Sequence, residues 1–294
     1  MKIAVTGRTG QVVASLLERG LDAGHDVTAV GRPELDLGAA TGALALRALG
    51  AVQPDVIVSA AAYTAVDKAE SEPELAHAVN AAGAGSVAAA AAALGVPLIH
   101  LSTDYVFDGD KPAPYAENDQ TGPRGAYGAS KLAGEVAVLA AQPDVAILRT
   151  AWVYSPFGAN FVKTMLRLAE TRDELGVVAD QRGNPTSALD IADAVLAIAA
   201  NLIASRDPAL RGVFHMAGTG DTDWAGFAQA IFAASAERGG PCARVRPITT
   251  AEYPTPAHRP ANSRLDCSKL GRAHGVRMPQ WHGSLLPVID RLVA

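Results

Sequence analysis

With 294 residues, 49% hydrophobic and 19% charged, the chain has the composition of a folded globular protein, which excludes intrinsic disorder. Its 28 glycines and 18 prolines are too few for a collagen-like or linker protein, and a net charge of −5 argues against a nucleic-acid binder, which carries a basic stripe. Two cysteines, Cys242 and Cys267, supply neither a disulfide framework nor a metal clip, and the length fits one large domain or two intimate ones at roughly 100–200 residues each.

In chain order, Lys2–Thr6 reads as a strand and Gln11–Leu21 as a helix with Val13, Leu16 and Leu17 on one face. Asp26–Val30 is the next strand, Ala39–Leu49 a helix, and Asp55–Ser59 a buried strand. Ser71-Glu72-Pro73-Glu74 has the pattern of a capping box with proline in the first turn, opening a long alanine-rich helix that stops near Gly95. The apolar stretch Ala81–Leu101 is broken by Gly83, Gly85, Gly95 and Pro97, so it reads as helix, turn and strand rather than a membrane span. Strands follow at Pro97–Ser102 and Val145–Thr150, with a helix over Ala126–Ala141 between them. Later come helices at Phe161–Glu170, Ser187–Ala204 and Trp224–Ala236, short strands near Val177–Ala179 and Val213–Met216, and an irregular proline-rich loop from Pro241 to Pro260. With Met1 running straight into a strand and no signal-peptide pattern, a soluble cytoplasmic protein is expected.

This alternation predicts an α/β fold, a Rossmann-like doubly wound parallel sheet with a smaller C-terminal substrate-binding part. The expected division is a dinucleotide-binding core over 1–154 and a substrate-binding part over 155–294, with strands at about 176–218 returning to the core. Ligands then belong outside the strand carboxyl ends, at Gly7, Gly31, Ala60–Tyr63, Ser102–Asp104 and Ala151–Tyr154.

Gly7-Arg8-Thr9-Gly10-Gln11-Val12-Val13 joins the first strand to a helix, where glycines admit a pyrophosphate and the helix start offers free N–H donors. The spacing is G-x-x-G, Val13 standing where a third glycine would fall, and an ordinary strand-to-helix turn is the plainer alternative. Arg32 ends the second strand where an acidic residue would accept a ribose hydroxyl, which favours a 2′-phosphate and hence NADPH; Asp36, four residues on, keeps NADH as an alternative. Tyr127-Gly-Ala-Ser-Lys131 puts a phenol and an ammonium on one helical face, and a nearby cation favours the phenolate. Thr103 sits where its hydroxyl meets that phenol. His77, His100 and His215 lack metal-ligand spacing and read as surface or packed imidazoles, and Asp67, Glu70, Glu72 and Glu74 as a solvated helix start. No nucleophile elbow and no P-loop are present.

These motifs resemble the extended short-chain dehydrogenase/reductases. Asp55–Pro73, Ser102–Gly109, Tyr127–Glu135, Arg149–Tyr154, Asn160–Leu166, Asp180–Thr186 and Pro254–Asp266 are similar to one branch, the dTDP-4-dehydrorhamnose reductase family, across nearly the whole chain. The resemblance implies NADPH- or NADH-dependent reduction of the C4 ketone of dTDP-4-dehydro-β-L-rhamnose to dTDP-L-rhamnose. Tyr127 is implied as proton donor, with Lys131 holding the nicotinamide ribose and lowering the phenol's pKa, and Thr103 bonded to the same oxygen. The cofactor would lie along Gly7, Thr9, Gly10, Gln11, Val12, Arg32, Asp36, Leu37, Ala60, Ala62 and Thr64. Thr103, Asp104 and Trp152 would meet the sugar, and Asn184, Arg259 and Asn262 the nucleotide end, with a structural salt bridge the plain alternative for Arg259 and packing for Trp152. Some members bridge subunits through a metal held by glutamates. Two such positions are Ser15 and Leu189 here, so no metal-bridged dimer is expected and a homodimer stays open. Two rivals share these residues: a reductase of another nucleotide-linked 4-keto-6-deoxy sugar, and a non-catalytic regulatory subunit.

Overall fold

The computed structural model describes residues 1–293. Its centre is a six-stranded, wholly parallel sheet built from β1 (Lys2–Thr6), β2 (Asp26–Val30), β3 (Val56–Ser59), β4 (Leu98–Thr103), β5 (Val145–Thr150) and a sixth strand, Gly212–His215. The order is sixth–β5–β4–β3–β1–β2. Every residue of β3, β4 and β5 is buried, as a parallel sheet covered on both faces requires. Alternation then sends Ile57, Leu98 and Ile147 to one face and Val58, Ile99 and Leu148 to the other.

The first of these faces packs on Leu49 of α2 (Gly42–Gly50), on Val87, Ala88 and Ala91 of the helix Pro73–Leu94, and on Val138 of Ala126–Ala141. The second packs on α1 (Gln11–Asp22) and on Ala188–Ala204, through Val13, Leu16, Ile191, Val195 and Ile198. A separate core around Tyr154, Val162, Phe227, Ile231, Trp281 and Val288 joins the helices Phe161–Ala169, Trp224–Ala236 and Trp281–Val293. The chain passes from β1 to β2 on one side of β1 and returns to β3 on the other. The crevice of this fold therefore opens between the carboxyl ends of β1 and β3.

Several elements differ from expectation. No capping box forms at Ser71: its backbone N–H and hydroxyl both turn back to the Lys68 carbonyl, so the helix begins at Pro73 behind Glu72, which makes no side-chain cap. That helix contains a wider turn over Ala78–Gly83 before Ala84–Leu94, and it ends on Gly95 in the left-handed conformation (φ 69°). By length and composition it is apolar enough to cross a membrane, yet half of that window is buried within the protein. Leu37–Ala39 is a 3₁₀ turn, and α2 starts only at Gly42, capped by Thr41. The proline-rich segment holds a strand, Arg244–Ile248, paired in parallel with Glu174–Val178 in a ribbon outside the main sheet. Pro247 is tolerated there because a two-stranded ribbon has free edges. So Gly212–His215 does return to the core sheet, whereas Glu174–Val178 does not.

Candidate active site

The crevice is a cleft of about 1,220 Å³, more than one small ligand needs. Its floor is shaped by backbone. Gly7 sits at φ 102°, where an added Cβ would meet Val13 Cγ2 at 3.3 Å and Ala61 Cβ at 3.4 Å. Val13, in place of a third glycine, therefore packs beneath the turn. Gly10 is the N-cap of α1 and offers no side chain, and no acidic residue occupies the first turn, so the opening N–H groups and the positive end of the helix stay uncompensated. Gln11 lines the cleft, and its side-chain oxygen accepts from Ser155 Oγ (2.9 Å) and Asn160 Nδ2 (3.0 Å). Across from this turn, Thr6 Oγ1 accepts from the N–H groups of Ala60 and Ala61, both at 3.0 Å, fixing the loop that carries Ala60, Ala62 and Thr64 to the wall.

At the far end Arg32 and Asp36 are both exposed and line the cleft with Leu37. Asp36 Oδ1 accepts from Gly38 N (3.0 Å), which holds it as the cap of the 3₁₀ turn. Arg8, not among the expected residues, lies over Gly31, donates to the Arg32 carbonyl (3.0 Å) and pairs with Glu34 (2.5 Å). This end thus holds two guanidinium groups.

Thr103 ends β4, and Tyr127 and Lys131 share a face of Ala126–Ala141. Thr103 Oγ1 donates to Asp104 Oδ1 (3.0 Å) and accepts from Tyr105 N (3.3 Å), and Thr103 and Tyr127 line the same cleft. Burial raises the phenol's pKa; the Thr103 hydroxyl opposes this only in part, and the Asp104 charge adds to the rise. The net direction is opposite to the lowering expected from Lys131, whose Nζ donates to the Leu101 carbonyl (2.7 Å). Burial also brings Lys131 down to about 8 and Asp104 up to about 6, the latter relieved by the Ser263 and Thr103 hydroxyls. Asp104 Oδ2 has no partner. Tyr127 is therefore a neutral phenol near neutral pH, fit to give a proton rather than take one.

Comparison with known proteins places this arrangement. A family model described as the RmlD substrate binding domain matches residues 1–294. A dTDP-4-dehydrorhamnose reductase of Sinorhizobium fredii is 55% identical over 284 residues, 97% of this chain and 95% of that one. The chain belongs to the dTDP-4-dehydrorhamnose reductase family. The structure of a dTDP-4-dehydrorhamnose reductase from Clostridium acetobutylicum is similar over 100% of both chains, with a TM-score of 0.91 and 38% identity. One from Bacillus anthracis, in complex with NADP, covers 99% of both chains with a TM-score of 0.90 and 35% identity.

Within this family frame the substrate residues divide. Asp104 and Trp152 line the cleft beside Thr103. Trp152 has φ 49°, a conformation rare outside glycine, and stacks on Trp224 with ring centroids 3.6 Å apart. Gly183 leaves room for it, since a Cβ there would overlap the indole. Packing and wall are thus one role. Asn184 and Asn262 lie outside the lining of this cleft: Asn184 bonds the Gly220 carbonyl and the Leu265 N–H, while Asn262 bonds the Lys111 and Ala113 carbonyls and Arg264. Arg259 pairs with Asp67 (2.6 Å) and donates to the Tyr105 hydroxyl (3.2 Å).

Of the acidic run after β3, Glu74 is exposed in the first turn of the Pro73–Leu94 helix as expected, and the other three are engaged. Asp67 pairs with Arg259, Glu72 accepts from the Tyr63 hydroxyl (2.7 Å), and Glu70 Oε1 accepts from Ala126 N (2.9 Å), capping the Tyr127 helix. Tyr105 was also unforeseen; it lines the cleft edge-on to Tyr127, with centroids 5.5 Å apart. It stands two residues past β4, in a turn that carries no periodic signal. His77 is exposed, and His100 and His215 are packed and held below the usual imidazole range, mainly by burial.

Proposed function

We propose that the chain reduces the C4 ketone of dTDP-4-dehydro-β-L-rhamnose to the alcohol of dTDP-L-rhamnose, using NADPH and accepting NADH less well. The observation that carries this reading is the neutral Tyr127 phenol beside Thr103 at the mouth of a dinucleotide-shaped cleft, in a chain 55% identical to a dTDP-4-dehydrorhamnose reductase. The Gly7 turn, whose Cβ space is already filled, and the bare start of α1 fit a pyrophosphate. The nicotinamide supplies the hydride.

The residues do the rest. Tyr127 donates its proton to the C4 oxygen, which Thr103 orients through its hydroxyl. Lys131 binds the nicotinamide ribose from its place on the Leu101 carbonyl. Asp104 and Trp152 bound the sugar. The protein works in the cytoplasm on a soluble nucleotide sugar, with no metal-bridged dimer.

The decisive experiment mixes purified protein, NADPH and dTDP-4-dehydrorhamnose and follows nicotinamide absorbance. Turnover of a different 4-keto-6-deoxy nucleotide sugar, with none of this one, overturns the substrate. Turnover of none, with NADPH still bound, favours the regulatory-subunit reading.

Two guanidinium groups at the adenosine end set a second expectation. Arg8→Ala/Arg32→Ala raises KM for NADPH about tenfold and leaves KM for NADH within about twofold, because only the former carries a 2′-phosphate to pair with them. Parallel steady-state titrations of the two nucleotides check it, and equal effects on both would show that these arginines do not discriminate.

A further inference from the structure

Beneath the cleft lies a buried charge cluster that the proton transfer does not itself use. Glu135 stands one turn beyond Lys131 on the same face of Ala126–Ala141, and the two residues are 2% and 3% exposed. Its carboxylate is held from two strands. Oε1 accepts from Ser102 Oγ of β4 (2.5 Å) and Arg149 Nε of β5 (2.9 Å), and Oε2 accepts from Arg149 Nη2 (2.7 Å). Ser102 immediately precedes Thr103. The partner that Lys131 itself bonds, the Leu101 carbonyl, is neutral and fixes its place but not its charge. Two buried cations thus lie near one buried anion, Arg149 in direct contact with it and Lys131 one helical turn away on the same face, and a low-dielectric interior tolerates them better while the anion is present.

We propose that Glu135 is a positioning residue for the reaction: anchored by Ser102 and Arg149, its carboxylate keeps the neighbouring Lys131 side chain charged and seated at the cleft. The inference rests on the proposed reductase function. The other ionisable groups on the elements packed around this turn are His100, Asp104 and Tyr105 on β4 and the turn after it, Arg149 on β5, Asp67, Lys68, Glu70 and Glu72 before the Pro73–Leu94 helix, Glu74 and His77 on it, and Tyr127. Against burial, which depresses the Lys131 ammonium, the opposing attraction comes from Glu135. His100, neutral through burial, is depressed further by Lys131 and gives it no anionic support.

The charged amine is the working form, present below its pKa of about 8 and lost as pH rises through it. Removing the carboxylate moves that loss to lower pH. The test compares wild type with Glu135→Gln and Glu135→Asp, reading both kcat and NADPH affinity (by nicotinamide fluorescence) across neutral to alkaline pH. The alkaline limb of both should fall by about one pH unit or more in the Gln variant and return in the Asp variant. A folded Gln variant whose limbs stay at the wild-type position overturns the proposal. If Glu135→Gln alone does not fold, Glu135→Gln/Arg149→Met is compared with Arg149→Met, so that the carboxylate is the one difference, and the same outcomes apply. The fluorescence titration needs no sugar substrate, so a wild type inactive on dTDP-4-dehydrorhamnose would retire the proposed function while the affinity limb still decides this inference.

Discussion

Tyr127→Phe is expected to lower kcat by roughly 10²–10⁴-fold, the usual worth of a positioned general acid, while NADPH affinity stays within about twofold. The substitution removes one oxygen and little else. The ring keeps its edge-on contact with Tyr105, and the adjoining Gly128 keeps its close approach to the Tyr105 carbonyl, so the helix has no reason to move. Thr103 and Lys131 remain, so the residual rate measures what orientation alone contributes. Steady-state kinetics with a parallel fluorescence titration separates the two effects. A Phe variant that turns over at the wild-type rate would take the phenol out of the proton's path.

Gly134→Ala is expected to destabilise the protein by about 1–3 kcal/mol and to lower activity as well, the cost typical of overpacking a tight contact. The Tyr127 helix crosses the Pro73–Leu94 helix so closely that a Cβ at Gly134 would overlap the Asn80 carbonyl oxygen, which is backbone and cannot swing aside. Asn80 is also the tie across this interface. Its side chain bonds both the N–H (2.8 Å) and the carbonyl (3.0 Å) of Tyr63 and donates to Ser130 Oγ (2.9 Å). Forcing the helices apart breaks the Ser130 bond, the one of the three that reaches the Tyr127 helix, and shifts Tyr127 relative to Thr103. Denaturant melts and kcat on the same preparation check both halves, and a variant as stable as wild type would mean that the helices can part without loss.

What could be read in advance follows from how local each signal is. β1, β2 and β5 and the Tyr127 helix match their expected bounds because a short apolar run or a helical period is decided by neighbours in sequence. The helix at Ser71 began later because the preceding turn took up the Ser71 hydroxyl, a competition that the pattern of residue types does not reveal. Pro247 hid a strand because proline is penalised by local rules, while the partner that accommodates it lies about seventy residues away. The site shows the same divide. Gly7, Thr103, Tyr127 and Lys131 were legible from motif and spacing. The commitments of Asn184, Asn262 and Arg259 were not, since each is fixed by backbone or a carboxylate from a distant segment. The direction of the Tyr127 shift was misread because spacing reports which groups are near and says nothing of how thoroughly water is excluded.

The helix that bears Tyr127 begins at Gly125, which has no side chain to cap it, and the missing acceptor is Glu70 from the loop after β3. That loop also holds Arg259 through Asp67. A graft of residues 125–141 into another scaffold would thus arrive with a frayed first turn unless residues 65–72 travelled with it. For anyone transplanting or shuffling this enzyme, the smallest exchangeable unit is the pair of segments.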